Sequence, residues 1–221
     1  MEKRNDTHRR LKIREDSEII KEKSQEVKEI DKRVSLHILE MKNLLTANKF
    51  ANGRVGYAIA HCQVVEHTPL RVFVMQNNIA DNYELPSVIY NARIIDQSEP
   101  YEVLELCLSF PYHDRAKITR HRKIEVEYQI EENGKLSKPI KKKFGDFIAQ
   151  LFQHEIQHFE GDNIYNQFKR EKNDKDKNKG DKKPENKPKT RGKLEVVGKG
   201  DSKTRGEGKN KNGVGKSGEK K

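Results

Sequence analysis

Apolar residues change their spacing several times along the chain, and each change marks an element. Residues 1–30 are mostly charged, with scattered apolar positions at Leu11, Ile13, Ile19, Ile20 and Val27. From Asp31 the period becomes helical. Val34, Ile38, Met41 and Leu45 form one stripe, with Asp31 as its N-cap and Asn52-Gly53 as its end. Short runs with strand character follow at Val55–Val65, Arg71–Met75, Ser87–Ile95 and Tyr101–Leu106. The clearest strand is Ile124–Ile130, where Ile124, Val126, Tyr128 and Ile130 alternate with Glu125, Glu127 and Gln129. A period of two predicts one buried and one wet face, as in an antiparallel sheet. Glu132-Asn133-Gly134 supplies a hairpin turn, with Leu136–Phe144 as the return strand.

A second helix is predicted from Asp146 to Gly161. It carries Phe147, Ile148, Leu151, Phe152, Ile156 and Phe159, apolar on nearly every side, and so should be a buried helix. Beyond Lys169 apolar residues almost vanish. Residues 169–221 cannot bury enough surface to offset ordering entropy and are expected to be disordered. The fold class is therefore α+β, with antiparallel sheets around a buried C-terminal helix.

Charge sharpens that division. Of 46 Lys/Arg and 35 Asp/Glu in the chain, residues 169–221 hold 20 and 9, leaving 26 of each sign before them. The net charge of +11 thus belongs to the tail. Such a segment has two readings: a salt-sensitive ligand for RNA, or a solubilising extension without a fixed partner. Two cysteines, Cys62 and Cys107, read as reduced thiols, and no run is apolar enough for a membrane span. A cytoplasmic monomer without membrane contact is the expectation.

The chemistry lies on the second helix. His154-Glu155-Ile156-Gln157-His158 is an HExxH pentad, and residues four apart share a helical face, so both imidazoles can address one ion. The pair continues the Phe147, Leu151 stripe and so should face the interior. The alternative is a hydrogen-bonded core pair. A catalytic centre of this kind takes three protein ligands and keeps one position open. Nothing suitable follows His158, so the third ligand must come from upstream, where Cys107 offers a thiolate.

With that, the chain resembles the peptide deformylase family, which carries GxGLAAxQ, EGCLS and QHExDH in this order. Here they read Gly56-Tyr57-Ala58-Ile59-Ala60-His61-Cys62-Gln63, then Glu105-Leu106-Cys107-Leu108-Ser109, then Gln153-His154-Glu155-Ile156-Gln157-His158. The resemblance covers residues 9–168, leaving residues 1–8 as a disordered start. It implies a metal held by Cys107, His154 and His158, with Fe(II) first and Zn, Ni or Co able to take its place. Glu155 would be the general base, with Gln63 and the Leu108 backbone N–H holding the oxyanion. Ala58, Leu106 and Leu151 would meet the substrate. Glu105 paired with Arg120 would brace the strand of Cys107, the plainer reading being a surface ion contact. The implied activity is removal of the N-formyl group from methionine at the start of nascent polypeptides. Ribosomal RNA would be a partner for the tail.

The motifs are also broken. Ala58 and Leu106 replace glycines, His61 an alanine, Cys62 a proline, Gln157 the Asp of HExDH, and Asp146 a Gly near the helix start. Side chains at Ala58 and Leu106 could narrow a peptide cleft. His61 is read as packed away from the metal, and Cys62 as a small buried hydrophobe. Two rival functions follow: a deformylase-like protein of altered or lost specificity, and a ribosome- or RNA-associated protein with a structural metal site.

Overall fold

The computed structural model describes residues 17–46, 56–76, 87–110 and 113–180. The expected disordered start, the Asn52-Gly53 helix end and residues 181–221 of the tail lie outside the described residues. The chain divides into two units, Met1–Lys182 and Lys183–Lys221.

Helix α1 (Lys32–Thr46) begins where its sequence predicts. Asp31 Oδ1 accepts the Val34 N–H at 2.7 Å, satisfying an amide that the first turn leaves without a partner. The buried residues of α1 are Val34, Ile38, Met41 and Leu45, which pack against Val72, Val74 and Tyr90.

Five antiparallel strands form one sheet: β1 (Ala58–Ala60), β2 (Val72–Met75), β3 (Val88–Glu105), β4 (Ala116–Gln129) and, after a hairpin, β7 (Ile140–Gly145). Their spatial order is β1-β2-β3-β4-β7, and β5 (Glu131–Glu132) with β6 (Lys135–Leu136) makes the hairpin tip. The expected strands Ser87–Ile95 and Tyr101–Leu106 prove to be one. The polar stretch between them stays in β3 because β4 pairs it through the backbone, Gln97 with Ile124 and Ser98 with Lys123. Conversely, Val55–Val65 contains only three strand residues before a 3-10 turn at His61–Gln63. The return strand divides into β6 and β7 where Ser137 Oγ accepts the Ile130 N–H at 3.1 Å.

Helix α2 (Asp146–Phe159) lies on this sheet. Ile148, Ala149, Phe152, Ile156 and Phe159 are buried with Phe73, Val126, Tyr128 and Phe144. The Phe152 ring stacks on Phe144 at 4.4 Å and meets Phe73 edge-on at 5.3 Å. Asp146 opens the helix at φ +48°, in the left-handed region that favours glycine. Contrary to expectation, α2 is not buried all round: Phe147 is 40% exposed and Leu151 half-buried, because both face a cleft.

A third helix, α3 (Ile164–Gly180), corrects the boundary expected at 168/169. Asn163 Oδ1 caps it by accepting the N–H groups of Tyr165 and Asn166, each at 3.0 Å. Its outer turns are held by polar side chains one turn apart. Gln167 Nε2 donates to Thr119 O at 2.9 Å, Glu171 accepts the Thr119 N–H at 3.1 Å, and Lys175 Nζ reaches Glu102 at 2.5 Å. These outer turns rest on hydrogen bonds to Thr119 of β4 and an ion pair with Glu102 of β3 rather than on apolar burial. That is why residues 169–180 looked disordered in a reading based on hydropathy.

Candidate metal centre

The end of β3 and the middle of α2 bring the predicted residues together. Leaving β3, the chain places Cys107 against α2, where His154 and His158 lie on one face. One donor atom from each of Cys107, His154 and His158 falls within 4.8 Å of the others, the spacing of a group able to hold one ion. Cys107 Sγ lies 3.3 Å from His158 Nε2. His154 turns Nδ1 to Glu105 Oε2 at 2.9 Å, which leaves Nε2 for the centre.

The electrostatics fit a cation. Burial would raise the Cys107 thiol, but the His158 and His154 imidazoles outweigh it and hold it down at about 5. Burial would lower His154, yet its bonds to Cys107 and Glu105 lift it to about 10. The thiolate and carboxylate therefore draw positive charge to this point, and a metal ion would displace the proton that otherwise supplies it. His158 Nδ1 and Glu155 Oε2 are buried without a hydrogen-bond partner among the described residues. Burial raises Glu155 above the ordinary carboxylate range, the neighbouring imidazoles opposing it. A buried carboxylate with one oxygen unpartnered, next to two imidazoles, is placed for proton transfer.

Gln63 has a forced orientation. Its Oε1 accepts the Ala60 N–H at 2.7 Å, so Nε2 points into the site, 3.0 Å from Ser109 Oγ and 3.7 Å from Cys107 Sγ. Ser109, which fixes Gln63, was missed in the sequence although it closes the Cys107-Leu108-Ser109 motif. Glu105 and Arg120 are not a surface pair. Their side chains are 4% and 5% exposed, and Arg120 grips both carboxylate oxygens, at 2.9 and 2.8 Å. Burial opposes ionisation of Glu105, but Arg120 and His154 prevail and hold it at about 2.

A cleft of about 460 Å³ opens over these groups. Ala58, Leu106, Leu108 and Leu151 line it together with Gln63, Cys107, His154 and Glu155. Tyr57 and Phe147, not foreseen as site residues, also line it, with ring centroids 5.2 Å apart. His61 turns away. Its Nδ1 accepts the Leu70 N–H at 3.1 Å and its Nε2 meets His37 Nδ1 at 2.9 Å. Cys62 is fully buried in the core, its Sγ 3.9 Å from His158 O.

A thiolate and two imidazoles beside a buried carboxylate define a candidate metal centre of the HExxH class. The polypeptide deformylase family model matches residues 11–174, and the chain belongs to that family. It is 36% identical to peptide deformylase 3 of Shewanella oneidensis over 38% of this chain and 48% of that protein. With the peptide deformylase of Finegoldia magna it shares 29% identity over 66% of this chain and 82% of the relative. The crystal structure of peptide deformylase from Thermotoga maritima superposes with a TM-score of 0.59 at 25% identity, covering 72% of this chain and 98% of that one. In several curated matches the aligned part spans only about half of the relative's length. No described helix is long and apolar enough to cross a membrane.

Proposed function

We propose that this protein is a metal-dependent hydrolase that removes the N-formyl group from the N-terminal methionine of nascent polypeptides. One observation carries the reading: Cys107, His154 and His158 converge, within 4.8 Å, at a cleft lined by Cys107, His154 and Glu155. These three residues would hold the ion, which supplies Lewis acidity and makes water acidic enough to react near neutral pH. Fe(II) is the proposed ion, and Zn, Ni or Co suits the same ligands.

The chain's own residues divide the remaining work. Glu155 takes the proton of the attacking water and passes it to the departing amine nitrogen. Gln63, locked by Ala60, offers an amide hydrogen to the formyl oxygen, and the Leu108 N–H is the second donor. Strand β1 is the edge of the sheet, so the backbone at Ala58 can pair with an extended peptide, with Leu106 on the opposite side. Leu151, Tyr57 and Phe147 supply an apolar wall for the methionine side chain. The Lys-rich tail is proposed to hold the protein near ribosomal RNA in the cytoplasm, where Cys62 and Cys107 stay reduced, outside any disulfide.

Turnover of formyl-Met-Ala-Ser by the Fe(II)- or Ni(II)-loaded protein, beside acetyl-Met-Ala-Ser, tests this reading. Release of formate with little release of acetate is expected. No formate from fully loaded protein would contradict it. Cosedimentation with ribosomes, with and without residues 181–221, tests the tail.

A further inference from the structure

Behind the candidate ligands, polar side chains form one continuous hydrogen-bonded chain from α3 to His154. Gln167 Nε2 donates to Thr119 O at 2.9 Å and to Glu171 Oε1 at 2.8 Å. Gln167 Oε1 accepts from Gln157 Nε2 at 3.1 Å and from Arg120 Nη1 at 3.4 Å. Gln157 Nε2 also donates to Asp162 Oδ2 at 3.1 Å, while Gln157 Oε1 accepts from Arg120 Nη2 at 3.0 Å. Arg120 grips Glu105, and Glu105 holds His154 Nδ1.

Every orientation in this chain is forced by its neighbours. A guanidinium only donates and an ionised carboxylate only accepts, so Gln157 must show oxygen to Arg120 and nitrogen to Asp162. Gln167 faces a carbonyl and a carboxylate with Nε2, so its oxygen must face Gln157 and Arg120. A carboxylate at position 157 would satisfy Arg120 but turn an acceptor towards Asp162 Oδ2 and Gln167 Oε1. A cationic side chain would oppose Arg120. Only a neutral amide meets donor and acceptor at once.

We infer that Gln157 is a positioning residue for the metal centre, fixing the guanidinium of Arg120, and through Glu105 the imidazole of His154, by linking them to Asp162 and α3. The inference rests on the metal reading proposed above, but its readout is metal release, which needs no turnover. Outer partners of this kind change metal affinity about 10–100-fold when lost. Gln157→Glu, equal in length, preserves an acceptor for Arg120 and places like charges where Gln157 Nε2 and Asp162 Oδ2 now lie 3.1 Å apart.

Transfer of Ni(II) or Zn(II) from the loaded full-length protein to excess chelator is the test, with melting temperature, kcat and KM measured alongside. Gln157→Glu should release metal about tenfold faster than the parent. Adding Asp162→Asn, which offers an amide donor to the new carboxylate, should restore release to within about threefold. A second variant, Gln167→Leu, removes the acceptor of Gln157 from α3 and should also speed release. A purely structural role would lower the melting temperature and leave release per folded molecule unchanged, which would overturn the inference. So would a Gln157→Glu defect that Asp162→Asn does not relieve. A parent that binds no stoichiometric metal would overturn the metal reading itself.

Discussion

Helices α2 and α3 both pack against β4, and past the first turn of α3 they hold to the sheet by opposite means. The inner face of α2 is apolar: Ile148, Phe152, Ile156 and Phe159 are buried with Phe73, Val126 and Phe144. In the first turn of α3, Ile164 and Tyr165 are buried with Ala116 and Ile118; further along, the attachments are Gln167, Glu171 and Lys175, each made to a strand backbone or a charged partner. Apolar burial is strong and non-directional, so it fixes α2 firmly without choosing the angle of a side chain. Hydrogen bonds are individually modest but directional, so they set the plane of Arg120 and hence of the Glu105 carboxylate. The candidate metal centre uses both. Helix α2 supplies two of the three candidate ligands, and α3 orients the groups behind them.

The contrast can be broken first at α2. Phe152→Ala should cost about 3–5 kcal/mol in urea unfolding, since a buried ring in contact with two others leaves a cavity. A loss below about 1 kcal/mol would mean that α2 does not rest on this contact. Glu171→Ala should cost less, about 1–2 kcal/mol, because it strips the acceptor from the half-buried Thr119 N–H. A cost equal to that of Phe152→Ala would erase the distinction between the two helices.

His61 provides a pH-dependent comparison at the turn carrying Gln63. Burial, with His37 and Arg33 adding to it, holds His61 down at about 3 instead of 6.5. In the folded chain it stays neutral where the unfolded chain binds a proton. Its contribution is therefore present above 6.5 and lost as pH falls towards 3. Between pH 6.5 and about 4.5 the parent should lose up to ~1.4 kcal/mol per pH unit more than His61→Ala. Parallel stability curves would refute the assignment. The smallest effect belongs to Lys175→Ala. It removes an exposed ion pair with Glu102 and should leave the melting temperature unchanged within error.

Legibility in the sequence follows the same division. Where apolar periodicity drives packing, the reading succeeded: the α1 stripe with its Asp31 cap, the alternation of β4 and the inner face of α2. The grouping of Cys107, His154 and His158 was legible because HExxH spacing and one upstream thiolate are recognisable in the sequence. The continuity of β3 was not, since backbone pairing with β4 carries its polar middle. Nor was the outer part of α3, whose attachments to β4 and β3 lie in Gln, Glu and Lys side chains that resemble any solvated run. Asp146 could be read as a departure from a glycine, but its φ of +48° could not. The Gln157 chain required coordinates, because partners 5 and 10 residues away and on β4 meet only in the fold.

The central claim is that the reacting centre is intact although the motifs around it are altered. Glu155→Gln tests it most directly, since the amide retains the size of the carboxylate but cannot take up the proton. With metal content equal to the parent's, kcat on formyl-Met-Ala-Ser should fall about 10²–10⁴-fold while KM changes little. A fully metal-loaded Glu155→Gln protein that retains the parent's kcat would contradict the account.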